Sequence, residues 1–489
     1  MYDVAIIGAG ISGCSLLYEL AGYHLRVILL EKENDVSLGT TKANSAIVHA
    51  GYDPPEGSLM ARSNVQGNAI IKELCGRLDV PFKQIGSLVA AFSPEQMETV
   101  HALYRRGIKN GVPGLRVLTK EETLAMEPQL RGAVAGALLA PSAAIVSPWE
   151  LTLALAQVAV QNGAQLALQS EVSAITKQGG HFIISIGKRT IKARFVVNAA
   201  GVFADKIARM AGDHSFEILP SKGEYFLMDK SQGTLVNHVI FQCPGKEGKG
   251  VLVAPTVHGN LIVGPNAMDG EAEDTATTAA GLDYIKTTAQ QSVPSINFRE
   301  CIRTFAGVRA IANEADFIMR ESKLQQGLFH MAGIKSPGLT AAPALARGMV
   351  GLLKEAGLTL EPKKDIVQTR AVARFREMDA TERMQAVNEN PLYGKVVCRC
   401  ETITEAEITA ALHAPIPPVS VDGVKRRCFC GMGRCQGGFC GPRVQEIIAR
   451  ERGIGVIDVP LDRDGTLILT GETKGPNAVT TQERVVKPR

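Results

Sequence analysis

The amino-terminal residues switch twice between two hydrophobic rhythms. "YDVAIIGAG" is a continuous apolar run ending in glycines, "ISGCSLLYELAG" repeats its apolar positions at helical spacing and closes on Gly22, and "LRVILLEK" is a second continuous run. This order predicts a strand, a helix and a strand in one βαβ unit. Residues 40–75 are rich in glycine and serine around "TTKANSAIVHAGYD" and turn helical through "ARSNVQGNAIIKELCGRL". "SPWELTLALAQVAVQNGAQL" opens as a capping box, with Ser147 as cap, Pro148 in the first helical position and Glu150 three residues on, and its helix should stop near Asn162 and Gly163.

A strand over 164–169 and a hairpin near 171–195 then lead to "ARFVVNAAGVFAD", a strand ending in glycine before a helix. From about 216 to 325, "GEYFLM", "HVIFQC", "GVLVAPT" and "NLIVGP" alternate with turn residues, the pattern of a sheet that forms a separate substrate layer. "QGLFHMAGIKSPGLTAAPALARGMVGLLKEAG" returns to strand, glycine turn and helix, completing the first domain. Residues 357–392 mix charges without a period and read as a connecting segment.

Composition narrows the classes. The chain has 489 residues, 45% hydrophobic and 21% charged, as expected of a soluble globular protein of several domains. Its formal charge of +4, from 53 Lys and Arg against 49 Asp and Glu, is too balanced for a nucleic-acid or membrane surface, and leaves small acidic substrates to local charge. Asp3 precedes the first apolar run and no basic region does, so the run reads as folded structure and not as a secretory leader. No stretch approaches the roughly 18 uninterrupted apolar residues of a membrane span. Six of the ten cysteines fall between Cys398 and Cys440, which favours the reducing cytosol and metal binding over disulfides. The expected location is cytoplasmic, or peripheral to a membrane through a partner.

Two constellations carry chemistry. Gly8, Gly10 and Gly13 form GxGxxG between strand and helix, allowing a tight turn, close approach of backbone to a pyrophosphate, and close helix packing. Glu31 ends the next strand, where a carboxylate can bind an adenosine ribose. The pattern predicts a dinucleotide and does not separate FAD from NAD. Downstream, Cys398 and Cys400 form CxC, and Cys435 and Cys440 enclose "QGGF". Four thiolates can hold a [2Fe-2S] cluster, two per iron, with glycine N–H groups near the sulfurs. On spacing alone zinc stays open, although structural zinc more often uses CxxC knuckles.

"IIGAGISG", "TTKANSAIVHAGYD", "NAAGVFAD" and "AGIKSPGLTAAPALA" resemble the D-amino-acid-oxidase superfamily of flavoproteins, nearest to its glycerol-3-phosphate and L-2-hydroxyglutarate dehydrogenase branch, over roughly residues 1–350. The resemblance implies FAD held through its ADP half at Gly8, Gly10, Gly13 and Glu31. Thr40, Thr41, Asn44, Val172 and Gly201 complete the implied cofactor set, with Ser45, Gly333, Gly338, Leu339 and Thr340 near the isoalloxazine. It implies an α/β fold: a Rossmann-like FAD-binding domain at 1–80, 145–215 and 326–356, and an interleaved antiparallel-sheet substrate domain at 81–144 and 216–325. The connecting segment 357–392, a small iron-sulfur domain at 393–452 and a tail at 453–489 would follow.

In such an enzyme a base takes a hydroxyl proton while the adjacent carbon gives hydride to the flavin, a task that suits a histidine. His49 lies in the segment resembling the flavin-facing motif; otherwise it would read as a hydrogen-bonded core histidine. Arg309 in "FAGVRA" matches a substrate-binding arginine of the related dehydrogenases, and Lys335 in "GIKSPG" falls in the turn expected beside the flavin, each with a plain surface or ion-pair reading as its alternative. Lys222 is a weaker candidate, and Trp149 reads as packing. "CRCETITEAEI" with "KRRCFCGMGRCQGGFCGPRV" resembles the bacterioferritin-associated ferredoxin-like [2Fe-2S] domain, with Cys398, Cys400, Cys435 and Cys440 as ligands and no place for Cys428 and Cys430.

The expected function is FAD-dependent oxidation of sn-glycerol 3-phosphate or a similar small anionic hydroxy acid, electrons leaving through the cluster to an electron-accepting partner. L-2-hydroxyglutarate is the second substrate. Amine or amino-acid oxidation and a non-catalytic electron-transfer subunit are the remaining alternatives.

Overall fold

The expected βαβ unit is the centre of the first sheet. Strand Tyr2–Ile7 runs parallel to Val27–Leu30 on one side and to Arg189–Asn198 on the other, with Ile7 opposite Leu30 and Asn198. Gln165–Ala167 extends the parallel sheet beyond Val27–Leu30, and Leu328–Ala332 pairs with the far end of Arg189–Asn198. The near end of that long strand pairs antiparallel with the hairpin Ala174–Gln178 and His181–Ile186. All four residues of Val27–Leu30 are buried, as a strand covered on both faces requires. The protein is described by a computed structural model over residues 1–244 and 250–471, so the end of the expected tail, 472–489, lies outside the described residues.

The second sheet is largely antiparallel. Its long pair joins Ile218–Met228 to Cys301–Ala312, with Ser221 opposite Arg309 and Tyr225 opposite Phe305. Leu261–Gly264, Leu252–Pro255 and Val239–Gln242 continue it to Ser87–Ala91, Gly136–Ala140 and Arg116–Thr119. A helix over Ala279–Ser292, which the alternating pattern does not predict, buries Ile285 and Ala289 in one cluster with Met228, Leu261 and Val263. A smaller sheet places Ile47–Val48 against Ala144–Val146, and so fixes the strand that immediately precedes His49.

Helix Pro148–Gln161 begins and ends where expected, with Asn162 as its carboxyl cap, but the capping box does not form. Ser147 makes no capping hydrogen bond, and the Glu150 carboxylate lies 3.4 Å from His258 instead of returning to the cap.

The chain divides into two units, Met1–Lys32 with Val36–Ala371, and Glu33–Asp35 with the described residues from Val372 onward. Within the stretch read as a connector, Ala380–Glu389 is a helix with a complete capping box between Asp379 and Glu382. In the second unit the hairpin Val396–Cys398 and Ile403–Thr404 precedes helices Glu405–Leu412, Val421–Cys428 and Gly441–Arg452. The centre of this unit is ionic as well as apolar. Arg427 holds both oxygens of buried Asp35, at 2.8 and 2.9 Å, and Arg426 reaches the same carboxylate at 3.1 Å and Asp462 at 2.7 Å. Burial would raise the Asp35 pKa, but the two guanidiniums outweigh it and hold the carboxyl below its ordinary range.

Candidate active site and thiol cluster

The glycine fingerprint leaves no room for side chains. Gly8 sits at φ +104°, and a Cβ there would lie 2.6 Å from the Ala199 carbonyl oxygen. A Cβ on Gly13 would stand 1.9 Å from the oxygen of Gly8, so strand and helix meet here backbone to backbone. Gly10 caps helix Ile11–Ala21. Glu31 accepts from the Ala9 N–H at 2.7 Å, which places its carboxylate beside the fingerprint. Thr41 accepts from the Ile11 N–H at 3.0 Å, and so the Thr40–Ser45 segment docks on the same helix end. The cradle that a Cβ would fill, together with an anchored carboxylate, fits the ADP half of FAD.

The same segment reaches the second sheet. The Thr40 hydroxyl donates to the Val308 carbonyl at 2.5 Å, Ser45 and Tyr225 share a hydroxyl contact at 3.3 Å, and Tyr225 stacks on Phe305 with ring centres 4.8 Å apart. Asn44 shapes the turn, donating to Thr41 at 2.8 Å and accepting from the Ala46 N–H at 2.8 Å. Gly307 is the point of closest approach, because a Cβ there would meet the Ala43 oxygen at 1.9 Å.

His49 is half-buried and its backbone is held from three directions. Its N–H donates to the Thr340 hydroxyl at 2.9 Å, and its carbonyl accepts from Asn64 at 2.7 Å and Asn68 at 3.2 Å. The ring lies against Tyr52 and Phe241, with centres 4.7 and 5.8 Å away. The Gly51 N–H donates to Nδ1 at 3.1 Å, so the neutral ring carries its own proton on Nε2.

Thr340 belongs to helix Gly338–Glu355, which therefore joins the turn before it to His49. Gly338 and Leu339 open that helix, and Gly333, at φ +63°, starts the turn before it. Lys335 lies in this turn, where its N–H donates to the Gly333 carbonyl at 2.9 Å. Arg309, on the opposite sheet, donates to the Asn266 carbonyl at 3.0 Å and approaches the Ser221 hydroxyl at 3.4 Å; no carboxylate pairs with it among the described residues. Lys222, in contrast, is buried against Asp274 at 2.7 Å and Glu224 at 3.8 Å, which gives it the structural ion-pair role. Gly201, at φ +58°, begins a short turn, and Val172 packs in the core with Ile7 and Leu30.

Sequence reasoning missed Asn64, Asn68, Tyr225 and Phe305. The four-residue spacing of the two asparagines, which puts both on one helix face, was the available signal.

In the second unit five sulfurs converge. Cys400 and Cys435 are 3.9 Å apart. Two thiolates on one tetrahedral ion, with bonds of about 2.3 Å, stand about 3.8 Å apart, so this pair fits a single iron. Cys398, Cys430 and Cys440 form a second, buried group whose sulfurs all lie within 4.8 Å of one another. Hydrogen bonds from Cys430 and Cys440 hold the Cys398 thiol down to about 2, against the opposing effect of burial. Burial would raise Cys435, but the N–H groups of Phe439, Gly437 and Gly438 outweigh it and lower its pKa. Gly433 passes so close that a Cβ would lie 2.4 Å from the Cys400 Cβ. Two sulfur groups with backbone donors fit a [2Fe-2S] cluster. Cys428 is turned to the helix, donating to the Val424 carbonyl at 3.4 Å, and its desolvation pushes the thiol up to about 12.

Comparison with known proteins agrees with both cofactors. Residues 3–352 match the family described as FAD dependent oxidoreductase, and residues 396–450 match the BFD-like [2Fe-2S] binding domain. A glycerol 3-phosphate dehydrogenase of Caloramator mitchellensis is 48% identical over 477 residues, covering 97% of this chain and 99% of its own. The human mitochondrial L-2-hydroxyglutarate dehydrogenase is 29% identical over 410 residues, covering 71% of this chain and 88% of its own. Among solved structures, the dithionite-reduced, FAD-bound L-alpha-glycerophosphate oxidase of Mycoplasma pneumoniae superposes with a TM-score of 0.73 at 34% identity, over 76% of this chain and 99% of that one. FAD and a [2Fe-2S] cluster are the cofactors, and no helix among the described residues is long and apolar enough to cross a membrane. The chain belongs to the FAD dependent oxidoreductase family.

Proposed function

We propose that the protein is a dehydrogenase that oxidises sn-glycerol 3-phosphate to dihydroxyacetone phosphate and passes the electrons through its cluster to an accepting partner. When bound, FAD supplies the hydride acceptor and the [2Fe-2S] cluster supplies a one-electron outlet. The reading uses the domain division given by the sequence, with substrate residues at 81–144 and 216–325 facing a FAD-binding domain at 1–80, 145–215 and 326–356.

The observation that carries the reading is Arg309. Among the described residues its guanidinium has only neutral partners, the Asn266 carbonyl and the Ser221 hydroxyl, and it lies on the strand that receives the Thr40–Ser45 segment. A cation so placed suits a phosphate or carboxylate in two-point geometry. Lys335, in the glycine turn before Gly338, supplies the second positive charge. His49 takes the hydroxyl proton. To accept at Nε2 its ring must shift its proton to Nδ1, giving up the Gly51 hydrogen bond at a cost of about 1 kcal/mol. Gly8, Gly10, Gly13, Glu31, Thr40, Thr41, Asn44, Ser45, Val172, Gly201, Gly333, Gly338, Leu339 and Thr340 hold FAD in this reading, and Cys398, Cys400, Cys435 and Cys440 hold the cluster. The relative matched across both segments is named for the same substrate.

The second reading is L-2-hydroxyglutarate oxidation, favoured by "NSAIVHAGYD" followed by "GSLMARSNVQG". An anaerobic screen of the holoenzyme, followed by visible absorbance, separates the two. Glycerol 3-phosphate should bleach the flavin. Bleaching by L-2-hydroxyglutarate alone would move the assignment to the dicarboxylate, bleaching only by an amine or amino acid would move it to that class, and none with any candidate would leave an electron-transfer subunit.

A further inference from the structure

We infer that Cys430 is a reserve ligand of the iron held by Cys398 and Cys440, able to replace either thiolate and keep the cluster in place. The inference rests on the assignment of Cys398, Cys400, Cys435 and Cys440 as the resident ligands. A [2Fe-2S] cluster offers each iron two protein thiolates, its other two positions being bridging sulfides. Cys400 and Cys435, with sulfurs 3.9 Å apart, would hold one iron as a pair. The other iron would find three buried sulfurs, Cys398, Cys430 and Cys440, mutually within 4.8 Å, one more than it needs.

Cys430 is brought there by the fold and is not a bystander of the neighbouring helix. It follows the last turn of Val421–Cys428, whose cap residue Phe429 lies in the left-handed region at φ +67°, and the next residue, Gly431, lies at φ +91°. A phenylalanine in that region is costly and persists only where surrounding structure imposes it. Here the Phe429 ring is buried and faces the Arg376 guanidinium at 5.0 Å. The two reversals carry Cys430 away from the path of Cys428, which stays bonded to the helix carbonyl of Val424.

Replacement is balanced. One bond from iron to Cys440 sulfur breaks and one bond from iron to Cys430 sulfur forms; the proton released by the Cys430 thiol passes to the Cys440 thiolate, and the oxidation state of the iron does not change. The three buried sulfurs lie within 4.8 Å of one another, so the exchange needs only a short displacement of side chains.

The test compares anaerobically purified holoenzymes by iron and acid-labile sulfide per FAD, and by the paramagnetic spectrum of the reduced cluster. Cys440→Ala should keep most of its cluster with a shifted spectrum, and Cys430→Ala/Cys440→Ala should hold about tenfold less. The same contrast is expected for Cys398→Ala with and without Cys430→Ala, so the result does not depend on one variant folding. Cys430→Ala alone should lose its cluster to an external chelator several-fold faster than the native chain. Single variants as empty as the doubles, or an unchanged rate of chelation, would overturn the reserve role. Cys400→Ala has no such substitute and should empty; if it stays loaded, the resident-ligand assignment itself fails.

Discussion

His49→Ala lowers the rate of flavin reduction by substrate by about 10²–10⁴-fold, the usual contribution of a positioned proton acceptor. That corresponds to about 3–5 kcal/mol in the barrier. FAD content should be unchanged, because none of the fingerprint contacts, Ala9 to Glu31 and Ile11 to Thr41, involves the imidazole. The backbone of residue 49 should also stay in place, since Thr340, Asn64 and Asn68 hold its N–H and carbonyl and not its ring. Stopped-flow absorbance under anaerobic conditions reads the rate. A rate within a few-fold of the native enzyme, at full flavin loading, would remove His49 as the base.

Cys435→Ala abolishes the cluster while leaving the flavin half-reaction intact. Its sulfur stands 3.9 Å from Cys400, and no other thiol is placed to complete that pair, as Cys430 lies with Cys398 and Cys440. The reduced protein should lose its cluster signal nearly completely, and reduction of a one-electron acceptor protein should fall with it. Bleaching of the flavin by substrate should continue at the native rate. A retained signal would take Cys435 out of the ligand set; a lost flavin half-reaction would mean that the two cofactors are not functionally separable.

Much of this was legible because it is written locally. GxGxxG and Glu31 fall within one βαβ unit, and their spacing translates directly into the turn at Gly8 and the carboxylate at the strand end. The alternating runs between 216 and 325 translate into strands of the second sheet for the same reason. What was not legible depends on distant partners. Ser147 and Glu150 match a capping box, but the Glu150 carboxylate is drawn to His258, more than a hundred residues away. The helix Ala380–Glu389 was missed because it buries none of its residues and so lacks an apolar stripe to read. Cys430 had no motif to inherit; the left-handed turn at Phe429 decides where it points, and a phenylalanine announces no such turn.

The grip of Arg426 and Arg427 on Asp35 means that the cluster-bearing unit is not a portable cassette. The carboxylate that neutralises its buried guanidiniums is encoded almost four hundred residues upstream, four positions after Glu31. A gene fragment that starts at 372 therefore inherits two inward cations and leaves their main counter-ion behind, a defect on the order of 3–5 kcal/mol, comparable with the whole margin of a small domain. Such a fragment should fail to fold cooperatively in thermal melts, and in the full chain Asp35→Ala should lower the melting temperature of this unit. A transplant of this unit into another chain would therefore have to carry the 33–35 segment with it, as a second, separately encoded piece.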